Sequence, residues 1–208
     1  MTMQTLFETL YAIDRWIFYA VNRGWGDAFG SPILDAMFTF LTTIEYLYIP
    51  VAVILVTLCI GRSPFGTAWS KTEQWRGRWC TIALISFILV ADPLNARYIK
   101  EIVKRPRPCQ TLSEVRQVFP CGGGKSFPSG HAVNSFGAAM IIGLFYTRLR
   151  AGMFVWASLV ALSRVYGGVH YVSDISAGAV FGSVIAFSMV HLLLRMTTGT
   201  AYSWQGEE

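Results

Sequence analysis

Five apolar stretches, at 46–61, 79–99, 130–148, 151–166 and 174–195, are separated by short polar segments, and this layout constrains the chain more than any other feature. About 20 apolar residues is the length an α-helix needs to cross a bilayer. Only 14% of the 208 residues are charged and 53% are hydrophobic, a balance that soluble domains of this length rarely carry. The expected fold class is all-α, a polytopic transmembrane helical bundle of five to six spans. There is no internal repeat, low-complexity segment or composition break, so residues 1–208 read as one membrane-embedded domain.

Residues 4–22 place Leu6, Phe7, Leu10, Ile13, Ile17, Phe18 and Val21 at helical spacing, with Glu8, Thr9, Arg15 and Asn22 on the other side. With Trp16 and Tyr19, this predicts an amphipathic helix lying in the membrane interface, within an N-terminal segment of residues 1–30. Asp14 and Arg15 interrupt its apolar run and no small-residue cleavage site follows, so no cleavable signal is expected. Residues 31–44 are a second short apolar stretch, a half-span or a lead into the next helix, and 46–195 form the transmembrane core. In the polar loop 62–78, Arg62, Lys71, Arg76 and Arg78 stand against a single Glu73, which marks it as cytoplasmic.

From there 79–99 crosses outward, with Asp92 and Asn95 in its far half. An intramembrane carboxylate is a functional candidate, and a carboxylate bonded to a neighbouring helix is at least as good a reading of Asp92. Loop 100–129 falls outside, although it holds Lys100, Lys104, Arg105, Arg107, Arg116 and Lys125, against the positive-inside bias. Arg148 and Arg150 occupy an inner turn, so Lys100, Arg107, His131, Arg164 and His170 all arrive at one membrane face. His191, near the inner end of the last span, lies on the other side and reads as a structural or interfacial histidine. The net charge of +5 sits mostly in short loops, which fits topology, lipid headgroups or an anionic substrate and is not a nucleic-acid signal. Cys59 and Cys80, at the ends of apolar segments, read as buried thiols. Cys109 and Cys121 bracket a polar loop with a spacing that suits no zinc pattern; a disulfide is expected if that loop faces an oxidising compartment.

Three segments carry chemistry. His170 and Asp174 are four apart, so a helix starting near His170 puts both on one face, where the carboxylate can hold one ring nitrogen and leave the other free. Gly167-Gly168 breaks a helix arriving through Arg164 and lets the guanidinium return beside the imidazole. An ordinary charged loop is the equally good alternative for this stretch taken alone. Lys100 to Pro108 offers a point charge and planar forks suited to phosphate oxygens, though such a run more often touches headgroups. In Phe127-Pro128-Ser129-Gly130-His131, Ser129 is a good N-cap, Gly130 lets the backbone approach a ligand, and His131 can donate a proton to a leaving oxygen. No Asp-x-Asp pair or His cluster suggests a metal cage, so a metal-free mechanism is expected.

Together these segments read Lys-x6-Arg-Pro (Lys100, Arg107, Pro108), Pro-Ser-Gly-His (Pro128 to His131) and Ser-Arg-x5-His-x3-Asp (Ser163, Arg164, His170, Asp174). This order resembles the type 2 phosphatidic acid phosphatase superfamily, membrane lipid phosphatases related to acid phosphatases and vanadium haloperoxidases. Arg105-Pro106 cannot serve in the first motif, because position 98 is Tyr rather than Lys. The resemblance implies that His170 attacks phosphorus, that Asp174 orients its imidazole, and that His131 protonates the leaving oxygen and then helps activate water. It implies that Lys100, Arg107, Ser129, Gly130 and Arg164 hold the phosphoryl oxygens, with no cofactor. The expected partner is a phosphorylated membrane lipid, with no protein partner implied, at the periplasmic face of a bacterial inner membrane. Undecaprenyl diphosphate, phosphatidylglycerophosphate, phosphatidate and lipid A 1-phosphate are the candidate substrates. A phosphotransferase on the same site and a non-catalytic lipid carrier or transporter subunit are the alternatives, the second disfavoured because mere binding does not require two histidines.

Overall fold

The computed structural model describes residues 3–25, 32–43, 56–57, 59–60 and 69–198, and the expected span 46–61 lies almost wholly outside them. Every regular element among the described residues is helical: α1 (Met3–Tyr19), continued by a π-helical turn (Ala20–Trp25), α2 (Pro32–Thr42), α3 (Lys71–Pro93), α4 (Pro108–Thr111), α5 (Gly130–Phe145), α6 (Arg150–Tyr166) and α7 (Val172–Thr198). By length and hydropathy, two runs among the described residues are able to cross a bilayer, Lys71–Thr111 and Val172–Thr197, while α2 and α5 are apolar but shorter.

α3 begins inside the stretch expected to be loop. Ser70 and Glu73 form a capping box, with the Glu73 N–H donating to Ser70 Oγ at 3.2 Å and the Ser70 N–H to Glu73 Oε2 at 2.8 Å. That reciprocal cap starts the helix at Lys71, so residues 71–78 are helical. Near the other end Pro93 sits within the helix, where it has no N–H to give. The chain then widens into a π-helical turn over Leu94–Ile99 before the last turn, Lys100–Val103. Lys104, at φ 51°, ends it.

α3, α5 and α7 pack into one core built from Cys80, Ala83, Phe87 and Ala91, from Val133, Ile141, Leu144 and Phe145, and from Ala186, Val190 and Leu194. In lipid, apolar burial does not drive helices together, and close backbone approach at small residues does. α7 supplies it: a Cβ at Gly178 would lie 2.8 Å from Ser129 O, and one at Gly182 would lie 2.2 Å from Val133 O. Gly182→Val is therefore expected to destabilise the bundle by about 1–3 kcal/mol through overpacking. Thermal melting in detergent reads this, with Gly152→Ala as the control, since nothing lies within 4 Å of a Cβ at Gly152. Equal melting temperatures for Gly182→Val and wild type would contradict the close approach.

Between α3 and α5, Asn134 Nδ2 donates to Asp92 Oδ1 at 3.2 Å, the helix-to-helix reading of that carboxylate. His191 stacks on Phe187 with centroids 6.0 Å apart. Cys80 is buried as expected, but Cys59 is exposed.

α1 turns its residues inside out relative to a helix in water. Leu10, Ile13 and Trp16 are exposed, while Asp14, Phe18 and Asn22, each four apart, are buried. Asn22 is fully used: its Nδ2 donates to Arg116 O and Tyr166 O at 2.8 and 2.7 Å, and its Oδ1 accepts from the Arg116 N–H at 2.9 Å. Tyr11 meets Tyr171, Asp14 meets Arg105 and Ser173, Tyr19 donates to Ser113 O, and Arg23 pairs with Glu114. All of these partners lie in the 104–129 segment or at the α6–α7 junction. α2 joins the same end, with Asp35 accepting from Arg116 and Tyr166 and Phe38 packed on the Tyr166 ring.

Candidate active site

α6 ends at Tyr166 because two glycines follow it, and Gly168, at φ 83°, makes the turn. The N–H groups of Val169 and His170 both donate back to Arg164 O, at 3.1 and 3.3 Å, which folds the chain over on Arg164. α7 starts only at Val172, so His170 and Asp174 do not share a helical face as expected. Asp174 instead sits in the first turn and reaches back, its Oδ2 accepting from the Tyr171 N–H at 2.8 Å. This caps the helix with a carboxylate at its positive end and brings Oδ2 to 3.5 Å from His170 Nδ1. One residue therefore starts the helix and holds the imidazole.

Asp174 is completely buried and His170 nearly so. Ser126 Oγ donates to Asp174 Oδ2 and lies 3.5 Å from His170 Nδ1. Arg105 Nη1 donates to Asp174 Oδ1 at 2.8 Å. Among the described residues the second ring nitrogen, Nε2, has no hydrogen-bond partner. Burial pushes the His170 imidazole down to about 4; Asp174 opposes this, and the positive charges of Arg107 and Lys100 add to it. The ring is neutral at pH 7 and its free nitrogen carries a lone pair. Covalent labelling of His170 in a single turnover is expected to persist on acidification and to fail only as the pH approaches about 4. Failure near the 6.5 of a free imidazole would contradict the buried, neutral ring.

The cations converge from the other segments. Lys100, one wide turn beyond Asn95, donates from Nζ to Lys125 O at 2.8 Å. Arg107 donates from Nε to Gly124 O at 3.0 Å, and its own N–H is held by Gln110 Oε1 at 3.1 Å. The intervening loop is closed by a Cys109–Cys121 disulfide, Cα–Cα 6.1 Å. Ser129 stands at the N-cap of α5, but its hydroxyl makes no cap hydrogen bond: its N–H is taken by Asp174 O at 3.1 Å, and its buried Oγ has no partner among the described residues. Gly130 opens α5, where a Cβ would lie 3.3 Å from Asn95 Nδ2. His131, in the first turn of α5, is close enough to Arg164, His170 and Arg107 to feel their charges. Arg164 lies over the Phe119 ring at 4.7 Å, and its buried Nε has no partner among the described residues.

All eight expected residues thus come to one end of the bundle. Arg105, Ser126 and Asp14 were not expected there. Arg105 was set aside because it fails the motif spacing, and a buried Ser126 or an Asp14 on a distant helix carries no sequence signal of its own. Among the described residues no three His, Cys, Asp or Glu side chains gather as a metal site needs.

The chain was compared with known proteins. It is 29% identical over 148 residues to a lipid A 4'-phosphatase of Bacteroides thetaiotaomicron, an alignment covering 65% of this chain and 66% of that protein, just under two thirds. The crystal structure of Aquifex aeolicus LpxE superposes with a TM-score of 0.64 at 23% identity, covering 86% of this chain and 94% of that one. The first transmembrane PAP2-type phosphatidylglycerolphosphate phosphatase from Bacillus subtilis superposes with a TM-score of 0.62 at 20% identity, covering 95% and 90%. These two likenesses establish a shared helical membrane fold. The PAP2 superfamily model matches residues 78–197, which contain all three motifs, and the chain belongs to the PAP2 superfamily.

Proposed function

We propose that this protein is an integral membrane lipid phosphatase that hydrolyses a phosphate monoester or diphosphate of a lipid through a phosphohistidine on His170. One observation carries the reading. A buried neutral imidazole, held by Asp174, stands among Lys100, Arg107 and Arg164, beside two buried donors, Ser129 Oγ and Arg164 Nε, that have no partner among the described residues. A phosphoryl group fits that demand. Its three equatorial oxygens accept from Lys100, Arg107, Arg164, Ser129 and the Gly130 N–H. His170 Nε2 attacks phosphorus, a P–N bond forms as the P–O bond to the lipid breaks, and His131 gives its proton to the departing oxygen. His131 then takes a proton from water, whose oxygen displaces His170 and releases inorganic phosphate. No step needs a metal ion.

Three further readings rest on the same geometry. Residues 1–208 form one domain, because α1 and α2 are bonded into the site end. α1 lies in the membrane interface: residues 11 to 23 run about 18 Å along the helix, yet their partners stay within one loop layer, and Leu10, Ile13 and Trp16 face outward. A helix crossing the bilayer would meet successive depths of α7. The transmembrane core is read, as from the sequence, as five to six spans, two of which, Lys71–Thr111 and Val172–Thr197, are long and apolar enough among the described residues. The site faces the periplasm of a bacterial inner membrane, which agrees with the disulfide in its loop and with Arg76 packed on Tyr146 at the opposite end.

The substrate is drawn from undecaprenyl diphosphate, phosphatidylglycerophosphate, phosphatidate and lipid A, the last favoured by the Bacteroides relative. Phosphate release by purified protein in micelles containing EDTA, across these four lipids with His170→Ala as blank, tests this. Release from one lipid, undiminished by EDTA, is expected. Release from none by folded protein, or loss in chelator, would overturn the metal-free phosphatase reading.

A further inference from the structure

Arg105 lies outside the motifs but touches the dyad. Its Nη1 donates to Asp174 Oδ1 at 2.8 Å and to Ser173 Oγ at 2.6 Å, and its Nη2 donates to Asp14 Oδ2 at 2.6 Å. Its guanidinium stacks on the Tyr171 ring at 3.8 Å. Asp14 in turn accepts from the Ser173 N–H at 3.0 Å and from the Ser173 hydroxyl. One planar fork therefore bridges a carboxylate of α1 and a carboxylate of α7, and it is the counter-charge for both. A lysine has the charge but not the second arm of the fork.

The geometry of His170 depends on this bridge. Asp174 Oδ2 serves Ser126, Tyr171 and the imidazole, while among the described residues Oδ1 is held by Arg105 alone. A carboxylate fixed at one oxygen only is free to swing about that contact; Arg105 on the other oxygen fixes its plane. Arg105 is itself fixed by Asp14, buried in the side of α1 that faces the bundle. We propose that Arg105 and Asp14 are positioning residues of the catalytic dyad, through which the N-terminal helix sets the plane of Asp174 against His170. This rests on the reading of His170 as nucleophile.

The test reads His170 directly as well as turnover. The chain has three histidines, so the His170 ring signals in detergent-solubilised protein can be assigned by NMR with His131→Asn and His191→Asn variants. Asp174, Ser126, Lys100, Arg107 and His131 are the groups that act on the ring besides Arg105. Arg105→Gln strips Asp174 of its counter-charge, so the His170 midpoint is expected to rise by about one unit or more. Turnover on the preferred lipid falls about 10²-fold, with KM moved by less than about twofold. Arg105→Lys is expected to restore the midpoint but not kcat, and Asp14→Asn to lower kcat without raising the midpoint. Wild-type midpoint and kcat in folded Arg105→Gln and Asp14→Asn would overturn the proposal and leave the network a staple. If Arg105→Gln does not fold, Arg105→Lys decides: wild-type kcat overturns the proposal, and a lowered kcat at an unshifted midpoint supports it. No turnover of any lipid by wild type, with the His170 midpoint still moved by Arg105→Gln, would overturn the phosphatase reading and leave the positioning role standing.

Discussion

His170→Ala is expected to lower phosphate release by at least about 10⁴-fold and to leave no covalent phosphoenzyme. The size follows from the role. A residue that only bound phosphate would share its load with Lys100, Arg107 and Arg164, whereas the atom that forms the P–N bond has no substitute. The Ser126 hydroxyl stands 3.5 Å from the ring, but it donates to Asp174 and is wholly buried. It is not placed to take over as nucleophile. The variant leaves a space at a buried position, so folding must be read separately by melting in detergent. Asp174 keeps its bonds to Arg105 and to the Tyr171 N–H without the imidazole, so the start of α7 is expected to survive. Labelled lipid quenched in alkali, where phosphohistidine persists, followed by peptide mapping, locates the label in wild type. A label on another residue, or release near the wild-type rate from His170→Ala, would remove His170 from the role of nucleophile.

The site was more legible in the sequence than the fold around it, for a physical reason. Phosphoryl chemistry restricts residue types, so Lys100, Arg107, His131, Arg164, His170 and Asp174 carry their spacing in the chain. The gathering at one end follows from helix lengths, since each apolar segment returns the chain to alternate faces. Local starts were less legible. The α3 start at Lys71 was written in Ser70 and Glu73, but the basic charges beside them read as loop. The start of α7 at Val172 depends on the Asp174 carboxylate reaching back to Tyr171, a tertiary choice between pairing along a helix face and capping a helix end. Arg105, Ser126 and Asp14 were illegible because their roles arise from long-range contact: Asp14 and Arg105 are 91 residues apart, and Ser126 and Asp174 are 48 apart. α1 was legible as amphipathic, but which face it buries was set by Asp14 and Asn22 finding partners in the loop layer.

His131→Ala is expected to slow phosphoenzyme formation by about 10²–10⁴-fold on a lipid monoester and by less than about tenfold on p-nitrophenyl phosphate. The contrast separates two roles that a single rate cannot. A lipid alkoxide is a poor leaving group and needs a proton as the P–O bond breaks, while nitrophenolate leaves unaided. A histidine acting as general acid therefore matters in proportion to the basicity of the departing oxygen. A histidine that only held a phosphoryl oxygen would cost both substrates the same, because the phosphoryl group is common to them. The position fits the acid: His131 lies in the first turn of α5, next to Ser129 and Gly130 and within electrostatic reach of His170. Dephosphorylation is expected to slow on both substrates alike, since the intermediate is the same and water must lose its proton in either case. Rapid-quench measurement of the two steps on the two substrates gives four rates. Equal losses in the first step on monoester and aryl phosphate would place His131 among the phosphate ligands and leave the leaving group without a protein acid.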